Sequence, residues 1–302
     1  MINFAMELVK DGYPINIFAS DISLDTAGFW VSDQVTFFTT PKVQGNENKY
    51  VNELLKKCIK YKIDVIIPLM DFELPILSSN KKKFHSYNIE VIVSNYDTII
   101  NSLNKKENYS FCLENNIKMP KTFFSINKKF SNYPMILKRI IGSGSVGQKM
   151  ISNAEELVTF KNGRDLLQEY IFGKEFGMDI FNDLNGKYIH SFAREKLLMR
   201  NGETDKAKAV YFDSFITLAK KISKVFNHIG NMDIDFIIDK NENIYIIDFN
   251  PRFGGGYPLT HISGNNYLKA LFELINGRSY KFSSTKEEVI LMKGISIQSY
   301  IS

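Results

Sequence analysis

Asp233, Asp235, Asp248 and Asn250 are the residues of this sequence whose types and spacing most directly imply chemistry. They lie between Met232 and Gly256, where two runs of alternating apolar and acidic or amide residues flank the polar segment Asp239 to Asn243. Such runs read as antiparallel strands joined by a short loop. If Ile238 pairs with Tyr245, Asp235 falls opposite Asp248 and Asp233 opposite Asn250. Side chains alternate along a strand, so these four would share one face, while Ile234, Phe236, Ile247 and Phe249 line the other. Like charges directly opposite in a sheet repel. Carboxylates and an amide oxygen gathered on one face therefore call for a cation, and hard oxygen donors suit Mg²⁺ bridging to phosphates. The alternative is a solvated polar face on an ordinary hairpin. The continuation Asn250-Pro-Arg-Phe-Gly-Gly-Gly256 favours the cation: strand pairing stops at Pro251, and the Arg252 guanidinium stands beside a flexible backbone, next to any anion the metal holds.

A second group lies upstream. Gly142-Ser-Gly-Ser-Val-Gly147 sits between two expected strands, Pro134 to Ile140 and Lys149 to Ser152. It is therefore neither a Walker loop, which needs Gly-Lys-Ser/Thr before a helix, nor a dinucleotide fingerprint. Its glycines can let backbone N–H groups approach phosphates, and Lys138 on the preceding strand can reach the same phosphates as a point charge. A plain hairpin tip with a surface lysine is the alternative for this loop alone.

The elements that must position these groups change character along the chain. From Met1 to about Asn95 helices and apolar strands alternate: a helix ending near Asp11-Gly12, a strand Ile15 to Ser20, a helix Val51 to Tyr61, and strands Asp64 to Pro68 and Ile89 to Ser94. That alternation implies a parallel sheet. Asp21, Asp71 and Glu73 follow strands, at the carboxyl edge where open α/β sheets bind ligands; each also suits a cap or turn. A helix from Asn104-Lys105 to about Asn116 leads to Ile117-Lys-Met-Pro120. Beyond Tyr133 strands dominate, with a helix near Ala154 to Lys161 and strands through Leu166 to Ile171 and Gly173 to Asp179.

The order of these elements resembles the ATP-grasp superfamily, and within it the carboxylate-amine ligases similar to carbamoyl phosphate synthase, over nearly the whole chain. The resemblance implies an α/β fold, α+β in its C-terminal part. Residues 1–95 would form a Rossmann-like pre-grasp lobe that lacks its first strand, because Met1 begins almost directly in the first helix. Residues 96–302 would form the ATP-grasp domain, with a small flap lobe at about 120–170 and a metal-binding lobe at about 171–302. It implies ATP as cofactor with Mg²⁺, or Mn²⁺ in its place. Lys105 stands where the family has a lysine before an Ile-x-x-Pro exit, and Lys138 where it has one before a glycine-rich flap, here Gly142, Ser143, Gly144, Ser145 and Gly147. Gln168, Glu169, Tyr170 and Ile171 match the hinge that reads adenine, and Glu175 of Gly173-Lys-Glu matches a ribose contact. Asp235, Asp248 and Asn250 match the metal ligands, and Arg252 matches an arginine touching the transferred phosphate or substrate. Two departures keep the needed chemistry: Arg139 follows Lys138 where the family usually has Pro, and Asp248 stands where Glu is commoner.

The implied reaction moves the γ-phosphoryl group of ATP onto a small-molecule carboxylate, giving an acylphosphate that an amine attacks. Phosphoryl transfer needs positioning and charge neutralisation rather than a nucleophile from the protein, so Lys138 and Arg252 take the catalytic places. Arg194, Arg200 or Lys206 could hold a substrate anion, and His261 could lie nearby, although a structural place suits that lone histidine better. A catalytically idle ATP-binding subunit or regulatory module is the alternative reading.

Bulk properties restrict other classes. With 302 residues, 44% of them hydrophobic, the chain can bury a substantial core, and its formal charge of +5 is spread over scattered lysines. Because those lysines are scattered and form no single basic arm, they read as solvated surface and no nucleic-acid partner is expected, nucleic-acid binding being the weaker alternative. There is no run of about 18 apolar residues and no secretory pattern, so no membrane is expected and the cytoplasm is the default location. Cys58 and Cys112 read as buried reduced thiols, and the four histidines show no zinc-ligand spacing. The expected partners are small molecules, with a homodimer as one assembly open to such an enzyme.

Overall fold

The structure, a computed structural model, describes residues 1–26, 28, 32–126, 133–142, 147–200, 202–282 and 288–294. The N-terminal part runs α1 (Ile2–Lys10), β1 (Ile17–Asp21), β2 (Val35–Thr39), α2 (Glu47–Tyr61), β3 (Val65–Ile66), α3 (Leu74–His85), β4 (Glu90–Val91) and α4 (Tyr96–Leu103). Buried Tyr50, Val51, Leu54, Leu55 and Cys58 recur at helical spacing on α2, which ends where Lys62 turns left-handed at φ 54°. Strand pairing is parallel, as alternation predicts, but among the described residues it forms two separate pairs, β1-β2 and β3-β4. β2 was not anticipated from the sequence, and the expected strands 64–68 and 89–94 contract to two paired residues each.

α5 (Lys105–Glu114) follows α4 directly. Asn104 caps it, its side chain accepting from the Lys106 and Glu107 N–H groups, and this fixes Lys105 as the first helical residue. The Lys105 N–H also donates to the Ile140 carbonyl at 3.0 Å, tying the helix start to the strand before the glycine-rich loop. The next strands, β5 (Thr122–Phe123), β6 (Met135–Arg139), β7 (Lys149–Ile151) and β8 (Asp165–Glu169), form an antiparallel sheet in the order β5-β8-β6-β7. Where a helix was expected over 154–161 the chain makes a short 3₁₀ segment, Glu155–Thr159, none of whose residues is buried. Only Leu157 and the following Phe160 pack against the core of the four-stranded sheet, too little apolar contact to support a longer helix.

The larger sheet is antiparallel, in the order β13-β12-β9-β10-β11-β14. Its strands are β9 (Gly173–Asn182), β10 (Tyr188–Arg200), β11 (Glu203–Val210), β12 (Gly230–Asp239), β13 (Ile244–Asn250) and β14 (Ile290–Met292). α6 (Asp213–Phe226) lays Phe215, Ala219, Ile222 and Phe226 against Met178, Ile180, Met232, Ile234, Phe236 and Phe249, the largest buried core of the molecule's C-terminal part. α7 (Tyr257–Ile262) and α8 (Tyr267–Ile275) cluster with Phe181 and with Leu8 of α1.

The β12-β13 hairpin carries the acidic residues. Asp239 closes its loop, its Oδ1 accepting from the Asn241 and Asn243 N–H groups at 2.9 and 2.8 Å. Asp235 lies opposite Asp248 and Asp233 opposite Asn250, as the alternation requires. Nearer the loop the expected pairing is wrong by one residue: Ile238 pairs with Ile244 and Phe236 with Ile246, because a bulge at Ile247 takes up the difference. Ile246, not Ile247, is therefore the residue buried in the core, and Ile247 lines a cleft instead.

Candidate functional site

The four-stranded sheet and the six-stranded sheet face one another across a cleft of about 450 Å³. Lys105, Lys138, Gly142, Glu175, Asp235 and Asp248 line it, as do Gln168, Glu169, Tyr170 and Ile171. The register explains the convergence. Asp248 on β13 faces Asp235 on β12, Asp235 faces Gly177 on β9, and Glu175 lies two residues farther along that strand on the same face. Three carboxylates thus cross three adjacent strands.

Each end of this row meets a lysine. The Lys105 ammonium lies 3.5 Å from Asp248 Oδ1 and donates to the Gly142 carbonyl at 3.1 Å. The Lys196 ammonium, from β10, donates to Glu175 Oε1 at 2.8 Å and lies 2.7 Å from Asp235 Oδ1. Across the cleft the Lys138 ammonium donates to Gln168 Oε1 at 2.8 Å. Gln168 therefore contributes its side chain to the lysine rather than only a backbone edge, and its amide nitrogen donates to Thr122 Oγ1 at 3.2 Å. The Glu169 and Tyr170 N–H groups are bonded to the Lys121 and Pro134 carbonyls.

These neighbours separate the two opposed carboxyls electrostatically. Burial pushes the Asp235 carboxyl above the usual carboxylate range, and the charges of Asp233 and Asp248 add to that against the pull of Lys196. Burial acts the same way on Asp248, but Lys105 and Lys138 outweigh it and hold that carboxyl below the usual range. Burial brings the Lys138 ammonium down to about 8, with Lys105 pushing the same way and Asp248 opposing.

Asn250 and Arg252 stand beside the cleft and do not line it. Asn250 is buried, its amide nitrogen 3.4 Å from the Asp233 carbonyl and its Oδ1 accepting from Arg252 at 3.3 Å. Arg252 forks onto Asp71 in the loop before α3, through Nε at 2.6 Å and Nη2 at 3.0 Å. Asp71 is thus the one strand-following acid of the N-terminal part joined to this region by an ion pair with an expected site residue. Asp233 belongs to a separate network: Arg194 donates to it and, at 2.7 Å, to Asp179. The expectation that Arg194 contacts substrate is therefore overturned, since its side chain is 1% exposed between two carboxylates. Arg200 pairs with Asp205 at 3.1 Å. The Gly254-to-Gly256 turn is close-packed rather than simply flexible: a Cβ on Gly254 would stand 1.9 Å from Asp233 Oδ2, and one on Gly256 would stand 2.1 Å from Arg194. His261 is structural, accepting or donating between Tyr257 and Glu7 and stacked on Phe4.

Of the glycine-rich loop, Gly142 lines the cleft and Gly147 adopts φ 76°; Ser143, Gly144 and Ser145 lie outside the described residues. Sequence reasoning missed Lys196 altogether. The usable signal was strand alternation, which sets Lys196 two residues from Arg194 on a strand beside the one carrying Glu175.

The donor chemistry fits a hard divalent cation: Asp235 and Asp248 present oxygens to one space beside phosphate-sized room lined by lysines. Among the described residues no three His, Cys, Asp or Glu side chains gather into a metal cage, so phosphate oxygens and water would complete the shell. Nor, among those residues, is any helix long and apolar enough to cross a membrane.

Comparison with known proteins bears on the family and the fold. Residues 103–256 match the ATP-grasp domain, and residues 3–108 match the PylC-like N-terminal domain. A pyruvate carboxylase of Pichia angusta is 24% identical over 191 residues, covering 56% of this chain and 16% of that protein. The chain spans less than half the length of curated relatives that it matches. Among solved structures, a biotin carboxylase complex from Campylobacter jejuni superposes with TM-score 0.71 at 15% identity, over 93% of this chain and 69% of that one. N5-carboxyaminoimidazole synthetase from Staphylococcus aureus complexed with ADP gives TM-score 0.71 at 18% identity, over 96% and 78%. The fold is the mixed α/β ATP-grasp fold.

Proposed function

Because the chain belongs to the ATP-grasp family, we propose that the cleft between its two sheets binds ATP with Mg²⁺ and activates a small-molecule carboxylate for attack by an amine. The observation that carries this reading is the meeting of Lys105, Lys138 and Lys196 with the opposed pair Asp235 and Asp248 in one cleft. In this reading residues 1–95 are a pre-grasp lobe, 120–170 the flap lobe and 171–302 the metal-binding lobe. The separate sheets within those ranges support that division.

The nucleotide lies between the sheets, its adenine toward residues 168–171 and its ribose toward Glu175. Asp248, with Asp235 opposite and Asn250 behind, would hold Mg²⁺, which supplies charge neutralisation at the phosphate oxygens. Lys138 and Lys105 bring ammonium groups to the phosphates from the flap side. Arg252 orients the carboxylate and the phosphoryl group it receives. One carboxylate oxygen attacks the γ-phosphorus and the bond to the ADP oxygen breaks; the amine nitrogen then attacks the acyl carbon of the acylphosphate, the carbon–oxygen bond to phosphate breaks, phosphate leaves and the nitrogen gives up a proton. Relatives whose names describe carboxylases and a carboxyaminoimidazole synthetase support ligase chemistry of this class.

A screen of carboxylates, including bicarbonate and amino acids, against amines for ADP release tests the proposal. ADP formation dependent on both substrates is the expected result; AMP formation, or tight ATP binding with no turnover across the panel, would overturn it. Asp248→Ala should abolish ADP release with an unchanged circular dichroism spectrum, and wild-type rates in that variant would refute the metal site.

A further inference from the structure

Lys196 is set differently from the other cleft lysines. Its side chain is 4% exposed, and its ammonium bridges two carboxylates, Glu175 and Asp235, that are themselves 35% and 23% exposed. The two carboxylates lie on neighbouring strands, Gly177 of β9 being the direct partner of Asp235 and Ile237 of β12 the partner of Glu175. Without a cation between them these groups would repel across the sheet. Lys105, by contrast, is 3.5 Å from Asp248 and spends a hydrogen bond on a backbone carbonyl, while Lys138 donates to a neutral amide. Asp235 is thus the member of the opposed acidic pair that already has a close, buried positive partner.

A buried ammonium between two carboxylates occupies the electrostatic place of a divalent ion. A free metal approaching Asp235 meets a neutralised carboxylate and a like charge, so its gain there is small. Nucleotide phosphates change that balance by adding negative charge on the opposite side of the ion. We propose that Lys196 is a positioning residue that stands in for a divalent cation at Asp235 while nucleotide is absent, holding Glu175 and Asp235 together and making metal entry depend on the nucleotide. The inference rests on the reading of the cleft as a nucleotide and metal site.

The test is Mn²⁺ binding without nucleotide, followed by electron paramagnetic resonance of free Mn²⁺ and by calorimetry, in the full chain and in Lys196→Met and Lys196→Arg. Lys196→Met uncovers two adjacent carboxylates and should bind Mn²⁺ at least ~10-fold more tightly than the wild type. Lys196→Arg keeps the charge and should stay at the wild-type value. In the same titrations ADP alone should lose more affinity in Lys196→Met than ADP with Mg²⁺. A misfolded variant cannot gain a metal site, so tighter Mn²⁺ binding supports the proposal directly. Mn²⁺ affinity no higher in Lys196→Met than in the wild type overturns it. Titration of the wild type with ADP and Mg²⁺ separates the two levels: no binding there removes the nucleotide-site reading and this inference with it, whereas binding there without the Mn²⁺ gain removes this inference alone.

Discussion

At the scale of single residues, the cleft shows identical side chains driven apart by their neighbours. Asp235 and Asp248 face one another, yet the first is pushed toward its protonated form by burial and nearby carboxylates, while two lysines keep the second ionised. Lys138 gives a measurable consequence. Its ammonium is brought down to about 8, so in the free protein it is charged below that pH and neutral above it. An anion binds the charged form better, and ADP affinity measured calorimetrically in metal-free buffer should therefore fall as pH rises from 7 through 8 to 9.5. Lys138→Arg, always charged, should remove that fall. An affinity flat over this range in the wild type would contradict the placement of Lys138 at the phosphates. Lys138 was legible in the sequence because it precedes a glycine-rich loop. The environment that tunes it was not, since Gln168, which accepts its hydrogen bond, and the carboxylates Asp248, Asp235 and Glu175, which oppose the effect of burial, come from strands far along the chain.

At the scale of elements, β9, β10 and β12 are tied together by Arg194 of β10, which reaches Asp179 on adjacent β9 and Asp233 on β12 beyond it. Removing one partner of such a buried network leaves an uncompensated charge, and the turn after β13 fits closely over it. Thr260 and Asn231 also donate to Asp179, so that carboxylate does not depend on the guanidinium alone. Gly256→Ala would place a methyl carbon 2.1 Å from a guanidinium that has no room to retreat, and we expect a loss of about 1–3 kcal/mol in denaturant unfolding. Gly294→Ala, where nothing lies within 4 Å, should change stability by no more than about 0.5 kcal/mol. Equal effects in the two variants would show that the turn is not close-packed. The strands themselves follow from period-two alternation, and the Asp235-Asp248 pairing was predictable from it. The bulge at Ile247 was not, because Ile246 and Ile247 are chemically the same and only the shape of the core decides which one enters it.

At the scale of the whole molecule, contacts distant in sequence fasten the N-terminal part to the sheets: Arg252 on Asp71, His261 on Glu7, and Thr98 Oγ1 donating to the Phe226 carbonyl at 2.7 Å. His228, at the end of α6, is buried against the Ile180 carbonyl and Asn182, and burial lowers its imidazole to about 4; His190 is lowered to about 4 in the same way. Both are neutral in the folded chain, whereas the unfolded chain takes up protons near pH 6.5. Their contribution to stability is present above that pH and is lost as pH falls toward 4, so denaturant midpoints should drop across this window. His228→Gln should flatten the drop, and a midpoint independent of pH between 6.5 and 4.5 would refute the assignment. What the sequence by itself determined is the change from alternating helices and strands to a strand-rich part, the acidic hairpin, and the lysines at the start of α5 and before the glycine-rich loop, because these follow from local periodicity and turn chemistry. What only the tertiary structure decided is which charges meet: Lys196 on Asp235, Asp71 on Arg252, and Arg194 on Asp179 and Asp233. Ion pairs are chosen by distance in space, and the adjacency of β12 to β9, strands far apart in sequence, is one that no local pattern encodes.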